Sequence, residues 1–431
     1  MTRNRRNIVL LTIDSLRADY CGFLGCNMNT TPVLDALADD GLVFEHAYAP
    51  GPRTPSSVPE LFTGEVFGPV PDVRSWTLHD RKERISHHLS RHQTIADRLG
   101  QSGYETIGIT ANPWTQYLPD TTFKKGFDTF RPLDGTDLEK DGEGTAPRWF
   151  RMLDRVVESS GLSERINWRW KKDWFLQWPR IYDIIQSRIQ SLGEPYFLWV
   201  FVLDPHQPYL SPKEYRVENS TPEMYYSLFG DQFLRNRENG YSDFLSQSLR
   251  RAYRDSIRSV DAFTEKLLED CPGTPVAVVH SDHGEAFEEH GTWGHQQQLY
   301  QENVHVPLLI SNTSKSGRIS EPITLRSLPV LLQSIAENDG EFIPSELTNQ
   351  FVMSSTEDGS RGALIGKRWK YISNPDGEEL YDIDADPHES ENVVKKHSKL
   401  TQQLQRLLRF RYCQANEIDT MVSASWAVSH V

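Results

Sequence analysis

The residues best suited to chemistry in this sequence are acidic side chains that directly follow predicted strands. Asp14 follows the apolar run 8–13, and Asp204 and Asp282 each end a later apolar run. Asp282 also stands in the segment HSDHGEAFEEHGTWGHQ, which carries four histidines among several carboxylates. An adjacent aspartate and histidine such as Asp282 and His283 can bind one divalent ion through oxygen and imidazole nitrogen. The alternative for a lone aspartate after a strand is a turn former or a helix cap.

A hydroxyl-rich segment precedes a predicted helix within residues 49–64, where the sequence reads APGPRTPSSVPELFTG. Backbone N–H groups and the dipole at a helix N-terminus favour a bound anion. A metal ion beside such a hydroxyl would lower its pKa and make it a nucleophile. The alternative interpretation is a capping loop with no chemistry.

Strand and helix patterns alternate along the chain and predict the sheet that positions these residues. Predicted strands cover residues 7–13, 105–110, 196–204, 275–282 and 306–311, and helical patterns lie between several of them. This alternation predicts an α/β fold, a three-layer sandwich with a mostly parallel central sheet. Ligands of such sheets bind at the carboxyl ends of the strands, so Asp14, Asp204 and Asp282 are expected to meet there.

The chain divides into a catalytic unit over residues 1–350, a small C-terminal α+β subdomain over 351–410 and a tail over 411–431. Within the first unit, residues 135–193 are rich in tryptophan and are expected to form a helical insertion over the site or a peripheral helix pair. In the subdomain, NPDG lies between two apolar runs and predicts a hairpin that joins strands 363–373 and 378–383. The tail has no clear pattern.

Composition excludes several classes of function. The 431 residues carry 46 basic and 60 acidic side chains, a net charge of −14. That charge argues against non-specific nucleic-acid binding and gives no attraction to anionic membranes. An anionic substrate therefore needs a local cation. No apolar segment is long enough to span a bilayer, so a cytoplasmic protein is expected. The four cysteines are expected to be free thiols, with a Cys21–Cys26 disulfide in an oxidising compartment as the alternative. The sequence does not indicate an oligomeric state.

Seven segments in order resemble the sulfatase family of the alkaline-phosphatase superfamily. They are NIVLLTIDSLRADY, TTPVLDALADDGLVFEHAYA, TPSSVPELFTG, TIADRLGQSGYETIGIT, DPHQPY, SDHGEAFEEHGTWGHQQQLYQENVHVPLLI and ELYDIDADPHESENV. The resemblance spans residues 7 to about 393, outside the tryptophan-rich stretch. It implies an alkaline-phosphatase-like fold, hydrolysis or transfer of a sulfate or phosphate ester, and one divalent ion (calcium, manganese, magnesium or zinc).

The resemblance also implies roles for individual residues. The implied metal ligands are Asp14, Thr54, Asp282 and His283. Thr54 falls at the position of the nucleophile. His206 in DPHQPY and His295 in WGHQ fall at the positions of histidines that contact the substrate. Their N–H groups would stabilise charge on non-bridging and leaving oxygens.

Three departures from the family pattern bear on the substrate. The sulfatase branch carries a cysteine or serine matured to formylglycine in a Cys-x-Pro-x-Arg context, whereas Thr54 cannot form that aldehyde hydrate and is followed by PSSV. Ser15 replaces a second acidic ligand, and Asn112 stands where a cation is expected. These changes favour relatives with a threonine nucleophile, such as phosphodiesterases and phosphoglycerol or phosphoethanolamine transferases. Asn112 could then donate a hydrogen bond to a substrate oxygen, with a structural Asn-Pro turn as the alternative.

Other interpretations of the sequence stay open. They are a sulfatase with an unusual nucleophile, a non-catalytic family member and a phosphomutase-like enzyme. The substrate is expected to be an anionic ester of a small molecule, a saccharide or a lipid headgroup. Four charged residues near the motifs are expected to be structural, with support of the site as the alternative: Arg17, Arg53, Glu285 and Glu302.

Overall fold

The computed structural model describes residues 5–67, 77–116, 124–133, 177–234 and 240–429. Its strands are β1 (Ile8–Ile13), β2 (Leu42–Phe44), β3 (Ala47–Tyr48), β4 (Glu105–Thr110), β5 (Thr129–Pro132), β6 (Tyr196–Val202), β7 (Val276–Ser281), β8 (Ala286–Phe287), β9 (Trp293–Gly294), β10 (His305–Val306), β11 (Leu308–Ser311), β12 (Gly317–Ile319), β13 (Ile323–Thr324), β14 (Phe351–Ser355), β15 (Gly362–Gly366), β16 (Trp369–Asn374) and β17 (Gly377–Asp382).

The helices of the same residues lie mainly between these strands. They are α1 (Pro32–Asp39), α2 (Thr54–Thr63), α3 (Leu78–Arg91), α4 (Ile95–Gln101), α5 (Pro113–Gln116), α6 (Trp178–Ile189), α7 (Thr221–Leu234), α8 (Asp243–Asp270), α9 (Gln301–Val304), α10 (Leu328–Glu337), α11 (Pro344–Leu347) and α12 (Ser398–Ser429). None of the described helices is both long enough and apolar enough to cross a bilayer.

A central sheet of eight strands organises the molecule, in the order β12-β2-β11-β7-β1-β6-β4-β5. The strands from β7 to β5 run parallel to one another, and β11 is antiparallel to both of its neighbours. All six residues of β1 and all seven of β6 are buried, as expected of strands covered on both faces. The predicted mostly parallel α/β sheet is therefore confirmed.

Two hydrophobic cores lie on opposite faces of this sheet. Alternate residues of β1 enter different cores, because side chains of a strand point to alternate faces. Val9, Leu11 and Ile13 pack with residues of α1, α6 and α8. Ile8 and Leu10 pack with residues of α2, α3, α4 and α10. Helices therefore cover both faces, which makes the three layers that the sequence predicts.

A second sheet of four antiparallel strands, β14 to β17, forms near the C-terminus. The predicted NPDG hairpin joins β16 to β17, with Asn374 opposite Gly377. The single strand predicted over residues 363–373 was wrong, because β15 and β16 pair antiparallel and the chain must turn between them. Helix α12 packs on this sheet through Leu404 and Leu408 and continues through the segment predicted as an unpatterned tail.

Two further expectations concern the insertion and the cysteines. The tryptophan-rich insertion falls mainly on residues 134–176, outside the described residues, and its last part forms α6. The boundaries of the three predicted units stay predictions. The four cysteines are free thiols, of which Cys21 and Cys271 are buried.

Candidate active site

The register of the central strands brings two aspartates together at one edge of the sheet. Parallel strands β1 and β7 end with Ile13 opposite Ser281. The next residue of each strand is an aspartate, so Asp14 and Asp282 lie side by side. Asp204 does not join them, because Ile13 lies opposite Val202 in β6 and Asp204 is one residue too far along.

Three buried side chains converge at this edge. Ligand atoms of Asp14, Asp282 and His283 all lie within 4.8 Å of one another. His283 Nε2 lies 3.5 Å from Asp14 Oδ1 and 3.5 Å from Asp282 Oδ2. His283 Nδ1 lies 2.8 Å from the Gly284 carbonyl, which can only accept a hydrogen bond. The proton of the neutral ring is therefore on Nδ1, and Nε2 presents its lone pair to the two carboxylates.

The electrostatics of these residues fit a divalent cation. Burial raises the pKa of Asp14 well above its usual range, and the charge of Asp282 raises it further. Burial also raises the pKa of Asp282 and lowers the pKa of His283. Asp282 Oδ2 is buried and accepts no hydrogen bond. Two desolvated carboxylates with an unsatisfied oxygen and a neutral imidazole are a suitable donor set for one ion.

Thr54 is the first residue of α2 and lies beside this group. Its hydroxyl Oγ1 is 3.2 Å from His283 Nε2, and the residue is only 4% exposed. The helix is held in place by Val58, Leu61 and Phe62, which pack into the core beneath it. A hydroxyl at the N-terminus of a ten-residue helix lies where the backbone N–H groups favour an anion.

Two neighbouring side chains donate hydrogen bonds to Asp14, one to each carboxylate oxygen. Asn112, just beyond β4, donates from Nδ2 to Asp14 Oδ2 at 2.6 Å and to Thr54 Oγ1 at 3.5 Å. Ser15 donates from Oγ to Asp14 Oδ1 at 2.9 Å. Asn112 therefore links the aspartate to the hydroxyl. Ser15 contacts the aspartate at the position where the family pattern has a second acid.

His206 and His295 extend the site away from the three-ligand group. The ring of His295 lies 4.8 Å, centre to centre, from the ring of His283 and 4.8 Å from that of His206. His206 Nδ1 is 2.7 Å from the Gln207 carbonyl. Seven of the residues predicted for the site, with Asn112 included, thus lie in one contiguous cluster, and Asp204 lies outside it.

Several neighbouring residues have other contacts. His280 is a buried histidine of β7 whose Nε2 lies 2.9 Å from the Thr12 hydroxyl, and burial lowers its pKa to about 4. Arg17 forms ion pairs with Asp19 and Glu289. Glu285, for which support of the site was the alternative to a structural role, is fully buried and contacts His295, and that contact is what sequence reasoning missed. The only signal for it in the sequence is its place in the histidine-rich segment.

Comparisons with known proteins identify the family. A model of the sulfatase family matches residues 6–325. The arylsulfatase of Clostridium perfringens is 23% identical over 451 residues, which cover 90% of this chain and 90% of the relative. The choline-sulfatase of Rhizobium meliloti is 22% identical and covers 92% of this chain and 83% of the relative.

Solved structures show the same fold. The phosphonate monoester hydrolase of Agrobacterium radiobacter has a TM-score of 0.67 at 16% identity, over 95% of this chain and 96% of that chain. A 2-O GAG sulfatase has a TM-score of 0.69 at 17% identity, over 96% and 93%. On the match of the family model and this shared fold, the chain belongs to the sulfatase family of ester hydrolases, in the alkaline-phosphatase superfamily.

Proposed function

We propose that this chain cleaves a sulfate or phosphate ester through Thr54, with one divalent ion held by Asp14, Asp282 and His283. The observation that carries the proposal is the Thr54 hydroxyl, 3.2 Å from His283 Nε2 at the edge of a buried three-ligand group. The names of the relatives support hydrolysis of a sulfate or phosphate ester, since they include sulfatases and a phosphonate monoester hydrolase.

The chemistry of threonine favours phosphoryl transfer within this class. A formylglycine hydrate has two hydroxyls on one carbon. After one hydroxyl has formed the sulfate ester, the other can eliminate the sulfate and regenerate the aldehyde. A threonine ester has no second hydroxyl and needs water or an acceptor alcohol to resolve it, which suits a phosphodiesterase or a phosphoglycerol-type transferase. Sulfate hydrolysis is the second candidate, and the sulfatases among the relatives favour it.

The side chains of this chain take defined parts in the proposed reaction. The ion, when bound, would neutralise the two carboxylates and favour the alkoxide of Thr54. Thr54 Oγ loses its proton to solvent and forms a bond to phosphorus while the bond to the leaving oxygen breaks. A proton passes to that oxygen from His206 or His295, and the Asn112 amide donates to a non-bridging oxygen. Water or an alcohol then attacks phosphorus and gives its proton to the histidine, while the bond to Thr54 Oγ breaks and Thr54 takes a proton from solvent.

Comparison of substrates tests the proposal. The protein would be assayed with 4-nitrophenyl sulfate, 4-nitrophenyl phosphate, bis(4-nitrophenyl) phosphate and a 4-nitrophenyl phosphonate monoester, each with calcium, magnesium, manganese or zinc. We expect the fastest turnover with a phosphodiester or the phosphonate. Mass spectrometry of acid-quenched protein is expected to find the phosphoryl or phosphonyl group of the substrate on the peptide that contains Thr54. Fastest turnover of the sulfate would favour the second candidate.

Two results would speak against the mechanism itself. One is rapid turnover with the adduct on a residue other than Thr54. The other is stoichiometric binding of the metal with no turnover of any of the four esters, which would favour a non-catalytic family member. The ester of a saccharide or lipid headgroup is the natural substrate class that we propose, and the 2-O GAG sulfatase supports the former.

A further inference from the structure

A short hairpin places an acid beside the outermost part of the site. Strands β8 and β9 pair antiparallel with Ala286 opposite Gly294. One step along this register, Glu285 lies opposite His295. Gly294 has a φ of +77°, and a Cβ atom built there would lie 3.2 Å from Glu285 Oε1. The backbone of β9 therefore passes directly over the carboxylate.

Glu285 holds one nitrogen of the His295 ring. Its Oε1 and Oε2 atoms lie 3.2 and 3.4 Å from His295 Nδ1. An ionised carboxylate can only accept hydrogen bonds, so Nδ1 is the nitrogen that carries the proton. The side chain of Glu285 is 0% exposed and that of His295 is 19% exposed. When the ring is an imidazolium, the opposite nitrogen, Nε2, carries the second proton and is the one that can be donated.

Glu285 is itself fixed by its surroundings. Arg17 Nη1 donates to the Glu285 carbonyl at 2.9 Å. The preceding residue, Gly284, donates its N–H to the Asn303 carbonyl at 2.9 Å. A Cβ atom at Gly284 would lie 2.1 Å from the Glu302 carbonyl oxygen, so the chain is tightly seated there. The close packing of Gly284 also fixes its neighbours Asp282 and His283. The proposed metal ligands and Glu285 therefore lie on one tightly packed segment.

The three histidines of the site differ in what holds them. His206 and His283 each place Nδ1 at the backbone carbonyl of the next residue, Gln207 and Gly284. His295 instead places Nδ1 at the carboxylate of a side chain ten residues away. A substitution of that side chain can therefore release the His295 ring while the backbone stays intact.

We propose that Glu285 is a positioning residue that fixes the His295 ring so that Nε2 faces the leaving-group oxygen of the substrate. The proposal rests on the proposed function, because His295 is there one of two proton donors to that oxygen. On this proposal, His295 donates the proton to the leaving-group oxygen, and His206 binds the ester. Glu285 touches neither the substrate nor the ion in this account.

A double-mutant cycle on kcat tests whether Glu285 acts through His295. We expect His295→Ala to lower kcat by about 10²-fold or more. Glu285→Leu is expected to lower it by roughly 10–100-fold. In the double variant, Glu285→Leu should cause no further loss, because the ring that it positions is already gone. Glu285→Gln keeps an accepting oxygen and should fall between the wild type and Glu285→Leu.

A matched control separates this role from a general structural one. Asp261 is a buried carboxylate of α8 that accepts hydrogen bonds from the N–H groups of Val33 and Leu34 and not from the hairpin. The loss caused by Asp261→Asn should simply add to that of His295→Ala. If Glu285→Leu and Glu285→Gln also add to His295→Ala, Glu285 does not act through the ring and the proposal is overturned.

A second measurement does not depend on turnover. In protein with ¹⁵N-labelled histidine and bound divalent ion, the His295 signal at about pH 8, above the ordinary pKa of imidazole, should report the Nδ1–H form. Loss of that signal in His295→Ala assigns it. Glu285→Leu should convert it to a mixture of tautomers, and an unchanged signal would contradict the proposal. Failure of the proposed function would appear differently, as a Thr54→Ala variant with undiminished turnover.

Discussion

At the scale of single residues, the molecule buries two carboxylates where they repel each other. Asp14 and Asp282 are 0% exposed, and burial together with their mutual charge raises the pKa of Asp14. Removing an ion from water costs several kcal/mol even after relaxation of the protein. A divalent cation between them would convert this unfavourable arrangement into a favourable one, so the account links stability to metal binding.

Asp282→Asn tests that linkage. In the wild type, a divalent ion at about 100 times its Kd should raise the free energy of unfolding by about 2.7 kcal/mol. We expect Asp282→Asn to lose most of this gain, and to be more stable than the wild type once chelator has removed the metal. Thermal unfolding with and without the metal measures both effects.

Asp255→Asn is the control, because Asp255 is a buried carboxylate that contacts Arg258 and lies outside the three-ligand group. It should keep the full metal-dependent gain. A gain as large in Asp282→Asn as in the wild type would show that the ion binds elsewhere.

The residues of the site differ in how well their positions could be predicted from the sequence. Asp14 and Asp282 could be predicted as neighbours because each directly follows a long apolar run. Asp204 also directly follows an apolar run. The register of β1 and β6, however, places Asp14 opposite Leu203, one residue before Asp204. The hydrophobic pattern of a sequence does not determine the register of two strands to one residue. Glu285 could not be predicted as a partner of His295, because the contact depends on a hairpin whose strands have two residues each.

At the scale of elements, the turn after β7 is the part that sets the geometry of the site. It carries Asp282, His283 and Glu285 within four residues and packs against the chain at Glu302. Gly284 is the residue that permits this close approach, because any side chain there meets the Glu302 carbonyl oxygen at 2.1 Å. Small displacements of this turn would move metal ligands and the positioning acid together.

Gly284→Ala tests the importance of that approach. Because the backbone must shift to admit the methyl group, we expect a loss of about 1–3 kcal/mol in the free energy of unfolding. Metal affinity should weaken as well. Denaturant unfolding and isothermal titration with the divalent ion measure the two effects.

Gly100→Ala provides the comparison in α4. A Cβ atom there has no neighbour nearer than 3.7 Å, and alanine favours a helix. This variant should be neutral or slightly stabilised, with unchanged metal affinity. If Gly284→Ala behaved in the same way, the turn would be more adaptable than its packing implies.

Long elements could be predicted and short ones could not. The apolar runs of β1, β4, β6 and β7 are six or seven residues long and gave the correct strands. Strands β3, β8, β9 and β10 have two residues each, too few to show a periodic pattern. The turn between β15 and β16 was missed, because the sequence GKR lacks the Asn-Gly or Pro signals of a hairpin.

At the scale of the whole molecule, a buried ion pair lies within the C-terminal part of the chain, and its acid also contacts residue Gln301. Lys370 of β16 and Glu389 both have 0% exposed side chains, and Lys370 Nζ lies 2.7 Å from Glu389 Oε1. Glu389 Oε2 accepts a hydrogen bond of 2.6 Å from the Gln301 N–H at the start of α9. The histidine-rich segment ends just before that helix. The ion pair of Lys370 and Glu389 thus contacts the chain shortly after the histidine-rich segment.

Lys370→Met would leave the Glu389 carboxyl buried without its partner. Burial already raises the pKa of Glu389, and Lys370 opposes that rise more than the N–H of Gln301 does. In the variant, the folded state therefore holds a proton that the unfolded state has released, so stability is lost as pH rises through the folded pKa. We expect a loss of about 3–5 kcal/mol near pH 8. The loss should be smaller near about pH 5, because this pH is close to the ordinary pKa of a glutamate carboxyl and the unfolded state then also holds part of the proton.

The double variant Lys370→Met with Glu389→Leu removes both charges and should recover much of the lost stability. Unfolding in urea at several pH values measures these differences. A loss that did not change with pH would mean that packing around the lysine stem, not the unpaired carboxyl, causes the destabilisation.

The most direct test of the central claim is the measurement of metal content and turnover in Thr54→Ala. The account predicts that this variant binds one divalent ion per chain, as the wild type does, because Asp14, Asp282 and His283 remain. It predicts that kcat/KM falls by roughly 10³-fold or more, because the nucleophile is gone. Turnover equal to that of the wild type, with the ion in place, would contradict the account.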